Sequence, residues 1–347
     1  MSNPKKHIAV IRLSAMGDVA MTVPVLLALI KQHPDVKITV VSKAFFKPIF
    51  SGIPNLDFVS VHTKHQHKGL LGLYRLYTDL KAKGITHVAD LHNVLRSKVI
   101  RTLFALRGKR VAYTDKGRAE KKALTRLEPK EIHPLLSMYE RHVLTFKNLG
   151  FKVDLSHPFF LEKKAIPFKV TELVGEKKAQ WIGIAPFAQH DRKKYPLDLM
   201  QKVVGQLASE TNVKIILFGG GQHEKSLLDE MASGFSNVYN MAGIISFENE
   251  LQLISNLDVM LSMDSGNAHL AAMFGVNTIT LWGATHPFAG FTPFNQPIEN
   301  CLVSDRTKYP FIPTSVYGNK NVPGYEDAMR TILPETVVAK VKSALQR

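Results

Sequence analysis

The segment Ser262-Met263-Asp264-Ser265-Gly266-Asn267-Ala268-His269 closes the apolar run Val259-Met260-Leu261 and opens a helix rich in small residues. A strand that ends in a polar, glycine-containing turn and then starts a helix aims unsatisfied backbone N–H groups and the positive end of the helix dipole at one point. Such a point suits a phosphate or diphosphate. Asp264 adds an acceptor for hydroxyls of a ribose or a sugar. The plainer alternative is a helix N-cap, a position that favours Asp and Ser.

Three further turns invite chemistry. The first strand-to-helix turn carries Gly17-Asp18. Gly17 removes a side chain where a ligand or a neighbouring backbone must come close. Asp18 suits either a helix cap or a general base that takes a proton from an attacking hydroxyl. Gly219-Gly220-Gly221-Gln222-His223-Glu224 follows a strand ending at Phe218. The glycines open that turn, and an acid at the start of the next helix can accept from two ribose hydroxyls; a flexible turn with a dipole-favoured Glu224 is the alternative. His190-Asp191-Arg192-Lys193-Lys194 sets adjacent cations ahead of a helix. A cation there suits a diphosphate leaving group, the task a metal would otherwise perform.

Other chemistries are disfavoured. No Gly-x-Gly-x-x-Gly accompanies the first turn, and no Gly-Lys-Ser/Thr follows the triple glycine, which argues against dinucleotide and Walker-type sites. There is no Asp-x-Asp for a metal-bound nucleotide sugar and no Gly-x-Ser-x-Gly elbow. The single cysteine, Cys301, excludes an intrachain disulfide and a multi-cysteine metal site. His62, His65 and His67 sit in a lysine-rich stretch without an acidic partner, where a solvated loop is the better reading than a metal site. Neither a metal nor a cofactor is expected.

The elements that must position these residues alternate along the chain. Strands are predicted at 6–13, 37–42, 58–61 and 86–90, with helices at 19–31, 70–83, 95–106 and 134–149. A Lys/Glu-rich stretch at 159–180 reads as a linker. Strands then recur at 181–185, 213–218, 259–262 and 278–281, with helices at 197–210, 224–232 and 334–345. Such alternation indicates parallel sheets covered on both faces. A length of 347 residues favours two domains. The boundaries expected are 1–165 for an N-terminal acceptor-binding domain, 166–333 for a C-terminal nucleotide-binding domain, and 334–347 for a helix packing back on the first.

The chain carries 45 Lys+Arg against 29 Asp+Glu, a formal net charge of +16 that attracts anionic partners. Basic residues crowd between Arg96 and Arg126, opposed only by Asp115 and Glu120; a solvated helical face is the plainer reading of such a run. No stretch approaches the roughly 20 apolar residues of a membrane span. Residues 1–7 lack the apolar core of a signal peptide, so a cytoplasmic protein is expected.

Together these pieces resemble glycosyltransferase family 9, the lipopolysaccharide heptosyltransferases. The match runs through IAVIRLSAMGDVAMTVPVLLAL, RKKYP, FGGGQHE and AGIISFENELQLISNLDVMLSMDSGNAHLAAMFGVNTITLWGATHP. The resemblance implies an α/β GT-B fold, two Rossmann-like parallel-sheet domains facing each other across a cleft. It implies inverting, metal-independent transfer of a sugar, ADP-heptose being the donor, onto a lipopolysaccharide inner-core or related lipid-linked acceptor.

Carried over by position, Asp18 resembles the catalytic base, Lys193 the contact to the donor diphosphate and Glu224 the acid on the ribose. Asp264 resembles the donor-site aspartate, with Ser265, Gly266 and Asn267 offering N–H groups to the phosphates, and His269 a histidine near the donor sugar. Met241-Ala242-Gly243 matches the region beside the base. The chain departs from the family at Phe187-Ala188-Gln189 and at Tyr195. Arg96, Arg101, Lys116, Arg118, Lys121 and Lys122 are candidates for the acceptor phosphates or anionic head groups. The resemblance thus implies a nucleotide-sugar donor, an anionic glycolipid acceptor, an anionic membrane surface on the inner face of the inner membrane, and a monomer. A UDP- or GDP-sugar transferase or epimerase is the nearest alternative. A nucleic-acid-binding protein is a further one, disfavoured because 96–126 lacks a run of interleaved aromatics.

Overall fold

The computed structural model describes residues 6–346; the reading of a missing signal peptide rests largely on residues outside that range. The described residues form two compact units, one from 6–116 with 138–160, the other from 117–137 with 161–346.

The first unit runs β1 (Lys6–Ile11), α1 (Met16–Ala20), α2 (Thr22–Gln32), β2 (Val36–Ser42), β3 (Leu56–Ser60), α3 (Gly69–Ala82), β4 (His87–Asp90), α4 (Leu95–Ala105) and β5 (Arg110–Tyr113). The chain then passes to the second unit through α5 (Arg118–Leu124) and returns with α6 (Met138–Asn148). The strands are parallel in the order β3-β2-β1-β4-β5. Parallel strands covered on both faces need near-continuous apolar runs, and His7–Ile11 of β1 are all buried. Leu73, Leu76, Tyr77 and Leu80 recur at helical spacing on α3 and meet Ala9, Ile11 and Val88 of the sheet and Ile100 and Phe104 of α4. Each such side chain contributes about 1.5–3 kcal/mol on burial.

The second unit continues with α7 (Phe168–Val174), β6 (Gln180–Ala185), α8 (Leu197–Ala208), β7 (Val213–Leu217), α9 (Gly221–Ala232), β8 (Val238–Asn240) and α10 (Phe247–Ile254). It closes with β9 (Val259–Met263), α11 (Gly266–Ala272), β10 (Asn277–Trp282), β11 (Cys301–Val303) and α12 (Pro334–Leu345). Its parallel sheet has the order β11-β10-β9-β6-β7-β8. All five residues of β9 are buried, the mark of a central strand.

The parallel α/β reading holds, with local differences. The helical run after β1 is two helices, and Pro24 falls in the first turn of α2, where its missing N–H costs no helical bond. The stretch read as a linker contains α7, and the three-residue edge strands β8 and β11 are too short to show periodicity. The terminal helix, expected to return to the first domain, lies instead in the second unit. Its Val337, Val338 and Val341 join the core formed by Val203, Val204 and Leu207 of α8 with the sheet, because that face of α8 is apolar and needs cover.

Residues 117–137, expected within the first domain, also belong to the second unit. Three contacts hold them there. The Lys130 ammonium, which also donates to the carbonyls of Leu124 (3.0 Å) and Arg126 (3.0 Å) within the segment, donates to Pro313 O (2.6 Å). Leu135 N–H donates to Phe288 O (2.9 Å), and the Lys121 ammonium lies 4.1 Å from the Phe291 ring centre.

Candidate active site

In an open parallel sheet, ligands bind beyond the carboxyl ends of the strands, where the strand order reverses. In the first unit the order reverses between β1 and β4, and the residues after these strands interlock. Arg12 is buried. Its Nε donates to Ser14 O (2.8 Å) and a terminal nitrogen donates to Leu91 O (2.7 Å), while the other terminal nitrogen pairs with Asp18 Oδ2. Asp18 Oδ2 also accepts the Ala15 N–H (3.4 Å), so the carboxylate reaches back to the start of its own helix as well as to the guanidinium. Leu13 N–H donates to His92 Nδ1 (3.3 Å), which leaves the ring proton on Nε2. Burial, reinforced by Arg12 and Lys116, pushes His92 down to about 3, so it is neutral at physiological pH.

Below His92, the fully buried Asp90 accepts from the N–H groups of His92 (3.1 Å) and Asn93 (2.7 Å). Its other oxygen pairs with Arg101 (3.0 Å), whose guanidinium sits 4.0 Å from the Tyr113 ring centre.

In the second unit the order reverses between β6 and β9. Asp264, at the end of β9, forms an ion pair of 2.8 Å with Lys193, from the short helical turn Asp191–Lys193 after β6. Ser265 occupies the N-cap of α11, but its hydroxyl bonds Ser262 Oγ (3.1 Å) and does not cap the helix. The N-cap alternative weighed for Asp264 and Ser265 is thus not what their side chains do. Lys193 also explains Gly318, which has φ of +74°: a β-carbon there would overlap the lysine stem.

Glu224 Oε2 accepts the Gly220 N–H (2.8 Å), folding the glycine turn onto the start of α9. Gly219 is closely packed: a β-carbon there would lie 2.9 Å from Leu228 Cδ1, so the leucine end would have to shift. Met241 is buried and its N–H donates to Leu217 O (3.0 Å), extending the β7–β8 pairing. His269 is buried within α11. Tyr195 is a core residue: its hydroxyl donates to Ile332 O (2.6 Å), and burial raises its phenol.

The basic stretch is divided between the two units. Arg96, Arg101 and Lys116 fall in the first unit, Arg118, Lys121 and Lys122 in the second. Arg96, Arg118 and Lys122 are exposed and Lys116 is half-buried. Arg101 is committed to Asp90, and Lys121 is buried at 4% exposure over Phe291. Those two side chains are engaged within the fold, because buried carboxylates and aromatic faces take up cations within reach.

Arg12 and His92 escaped the sequence reading. The signal for Arg12 was available: an arginine in an otherwise apolar strand end must find an acid, and Asp18 is near in sequence. His92 carries no comparable signal.

The family model for glycosyltransferase family 9 (heptosyltransferase) matches residues 73–318. The chain belongs to glycosyltransferase family 9. This family 9 enzyme is a glycosyltransferase, and it is 22% identical over 339 residues to lipooligosaccharide heptosyltransferase 2 of Campylobacter jejuni, covering 95% of this chain and 96% of that protein. The E. coli heptosyltransferase WaaC with ADP is similar at a TM-score of 0.70 and 19% identity, over 97% of this chain and 99% of that one. A family 9 glycosyltransferase from Veillonella parvula is similar at a TM-score of 0.74 and 20% identity, over 100% and 99%. The fold is GT-B. No helix among the described residues is long and apolar enough to cross a membrane.

Proposed function

We propose that this family 9 enzyme transfers heptose from ADP-heptose to a lipopolysaccharide inner-core acceptor, with inversion at the anomeric carbon and without a metal ion. The observation that carries the reading is the Lys193 ammonium fixed by Asp264 next to the uncapped first turn of α11. A held cation and a helix start whose N–H groups the Ser265 side chain does not cap suit a departing diphosphate. The ADP of the WaaC neighbour supports the choice of nucleotide.

In this reading an acceptor hydroxyl attacks the anomeric carbon from the face opposite the diphosphate. Its proton passes to Asp18 as the new C–O bond forms. The pair of electrons in the breaking C–O bond leaves with ADP, whose charge Lys193 and the N–H groups of Ser265, Gly266 and Asn267 balance. Asp264 acts by orienting Lys193. Glu224 accepts from the ribose through the oxygen not bonded to Gly220, Met241 lies against the base, and His269 lies near the sugar.

The acceptor phosphates meet Arg96, Lys116, Arg118 and Lys122, and the enzyme works as a monomer at the anionic inner face of the inner membrane. Calorimetric titration with ADP, UDP and GDP tests the donor assignment. ADP is expected to bind tightest, and Lys193→Ala to weaken it. Preference for UDP or GDP would overturn ADP-heptose and favour a different nucleotide sugar.

A further inference from the structure

A guanidinium 5% exposed is tolerated only when its charge and hydrogen bonds are met. Arg12 meets them in three chain segments: Ser14 O in the turn after β1, Leu91 O after β4, and Asp18 Oδ2 in α1. Two bonds to backbone carbonyls fix the plane of a rigid fork, and the fork then fixes the carboxylate. On the five-residue helix α1, the same Oδ2 also accepts the Ala15 N–H, at a longer 3.4 Å.

We infer that Arg12 is a positioning residue for Asp18, holding Oδ2 so that the carboxylate presents one orientation to the acceptor hydroxyl. The inference rests on the reading of Asp18 as the general base. Proton transfer is sensitive to such placement, since a displacement of about 1 Å can cost about 100-fold in rate. Arg12, Lys43, Lys116 and Asp18 all act electrostatically on His92 beside this turn. His92 stays neutral over the working range, and the Arg12 guanidinium is in direct contact with Asp18.

The experiment compares wild type, Arg12→Gln, Arg12→Lys and Asp18→Ala in kcat against pH, acceptor KM, ADP affinity and thermal unfolding. Arg12→Gln is expected to lower kcat by about 10- to 100-fold at unchanged ADP affinity. Its acid limb is expected to move up by about one pH unit, because an opposite charge favours an ionised carboxylate. Arg12→Lys keeps a cation but not the fork, so the acid limb stays in place while kcat falls about 3- to 10-fold.

An unmoved acid limb in Arg12→Gln, or wild-type kcat in Arg12→Lys, overturns the inference. Should Arg12→Gln not fold, Arg12→Lys alone decides it. If Asp18→Ala turns over normally, the base assignment fails. If Asp18→Ala is inactive while both Arg12 variants behave as wild type, only the positioning role fails.

Discussion

Lys193 and Asp264 neutralise one another at 2.8 Å, joining the turn after β6 to the end of β9, the two strands between which the sheet reverses. The side chains are 16% and 7% exposed, so neither charge is well hydrated. Removing one partner leaves the other stranded.

Lys193→Met is therefore expected to act twice. It strands the Asp264 carboxylate, at a cost of about 3 kcal/mol in unfolding free energy, and it weakens ADP binding by about tenfold or more. Asp264→Asn keeps the cation and should weaken ADP binding less. Urea unfolding and calorimetry on the two variants and their combination read both effects. Unchanged ADP affinity in Lys193→Met would leave the pair purely structural.

Asp18 is expected to matter for turnover and not for the donor. Asp18→Ala should lower kcat by about 1,000-fold while ADP affinity, measured by calorimetry, stays within about twofold. Substantial loss of ADP affinity with near-normal kcat at saturation would contradict the assignment of Asp18 as base.

Arg101 and Arg96 look alike in the sequence and should behave differently. Arg101→Ala removes the counter-charge of the fully buried Asp90 and is expected to cost about 3 kcal/mol of stability. Arg96 is exposed, so Arg96→Ala should leave unfolding unchanged and raise the acceptor KM, more at low salt than at high. Thermal unfolding and acceptor titrations at two salt concentrations separate the cases. Equal stability loss in both variants would refute the distinction.

The difference between those arginines shows what a sequence exposes. Strand runs such as Val259–Met263 and helical stripes such as Leu73, Leu76 and Leu80 follow from local periodicity, and so were legible. The turns holding Asp18, Lys193, Glu224 and Asp264 were legible because glycine and charge collect where strands end. That Lys193 meets Asp264, that Arg101 meets Asp90, and that His92 receives the Leu13 N–H depends on which strands become neighbours, which no local pattern encodes. Lys121 misled for the same reason: its charge faces Phe291, far along the chain.

His92 and His286 make stability depend on pH. Burial, with Arg12 and Lys116, holds His92 at about 3, and burial, with Arg306 and Lys130, holds His286 at about 4, both from an ordinary 6.5. In the unfolded chain each binds a proton near 6.5; in the folded chain each stays neutral down to its lowered value. Between those limits the unfolded state holds more protons at these two histidines, so their contribution to stability falls as pH drops. The loss is about 1.4 kcal/mol per pH unit for each group, or about 2 kcal/mol apiece between pH 6.5 and 5. Asp57, whose carboxyl is held low mainly by its hydrogen bond to Lys37, titrates below that window. His92→Gln and His286→Gln each retain an acceptor for the N–H that the ring accepts, from Leu13 and Phe288 respectively. Urea unfolding at pH 7 and pH 5 should therefore show a pH difference smaller by about 2 kcal/mol in each variant. An undiminished difference would mean that these histidines take up protons in the folded enzyme as readily as in the unfolded chain.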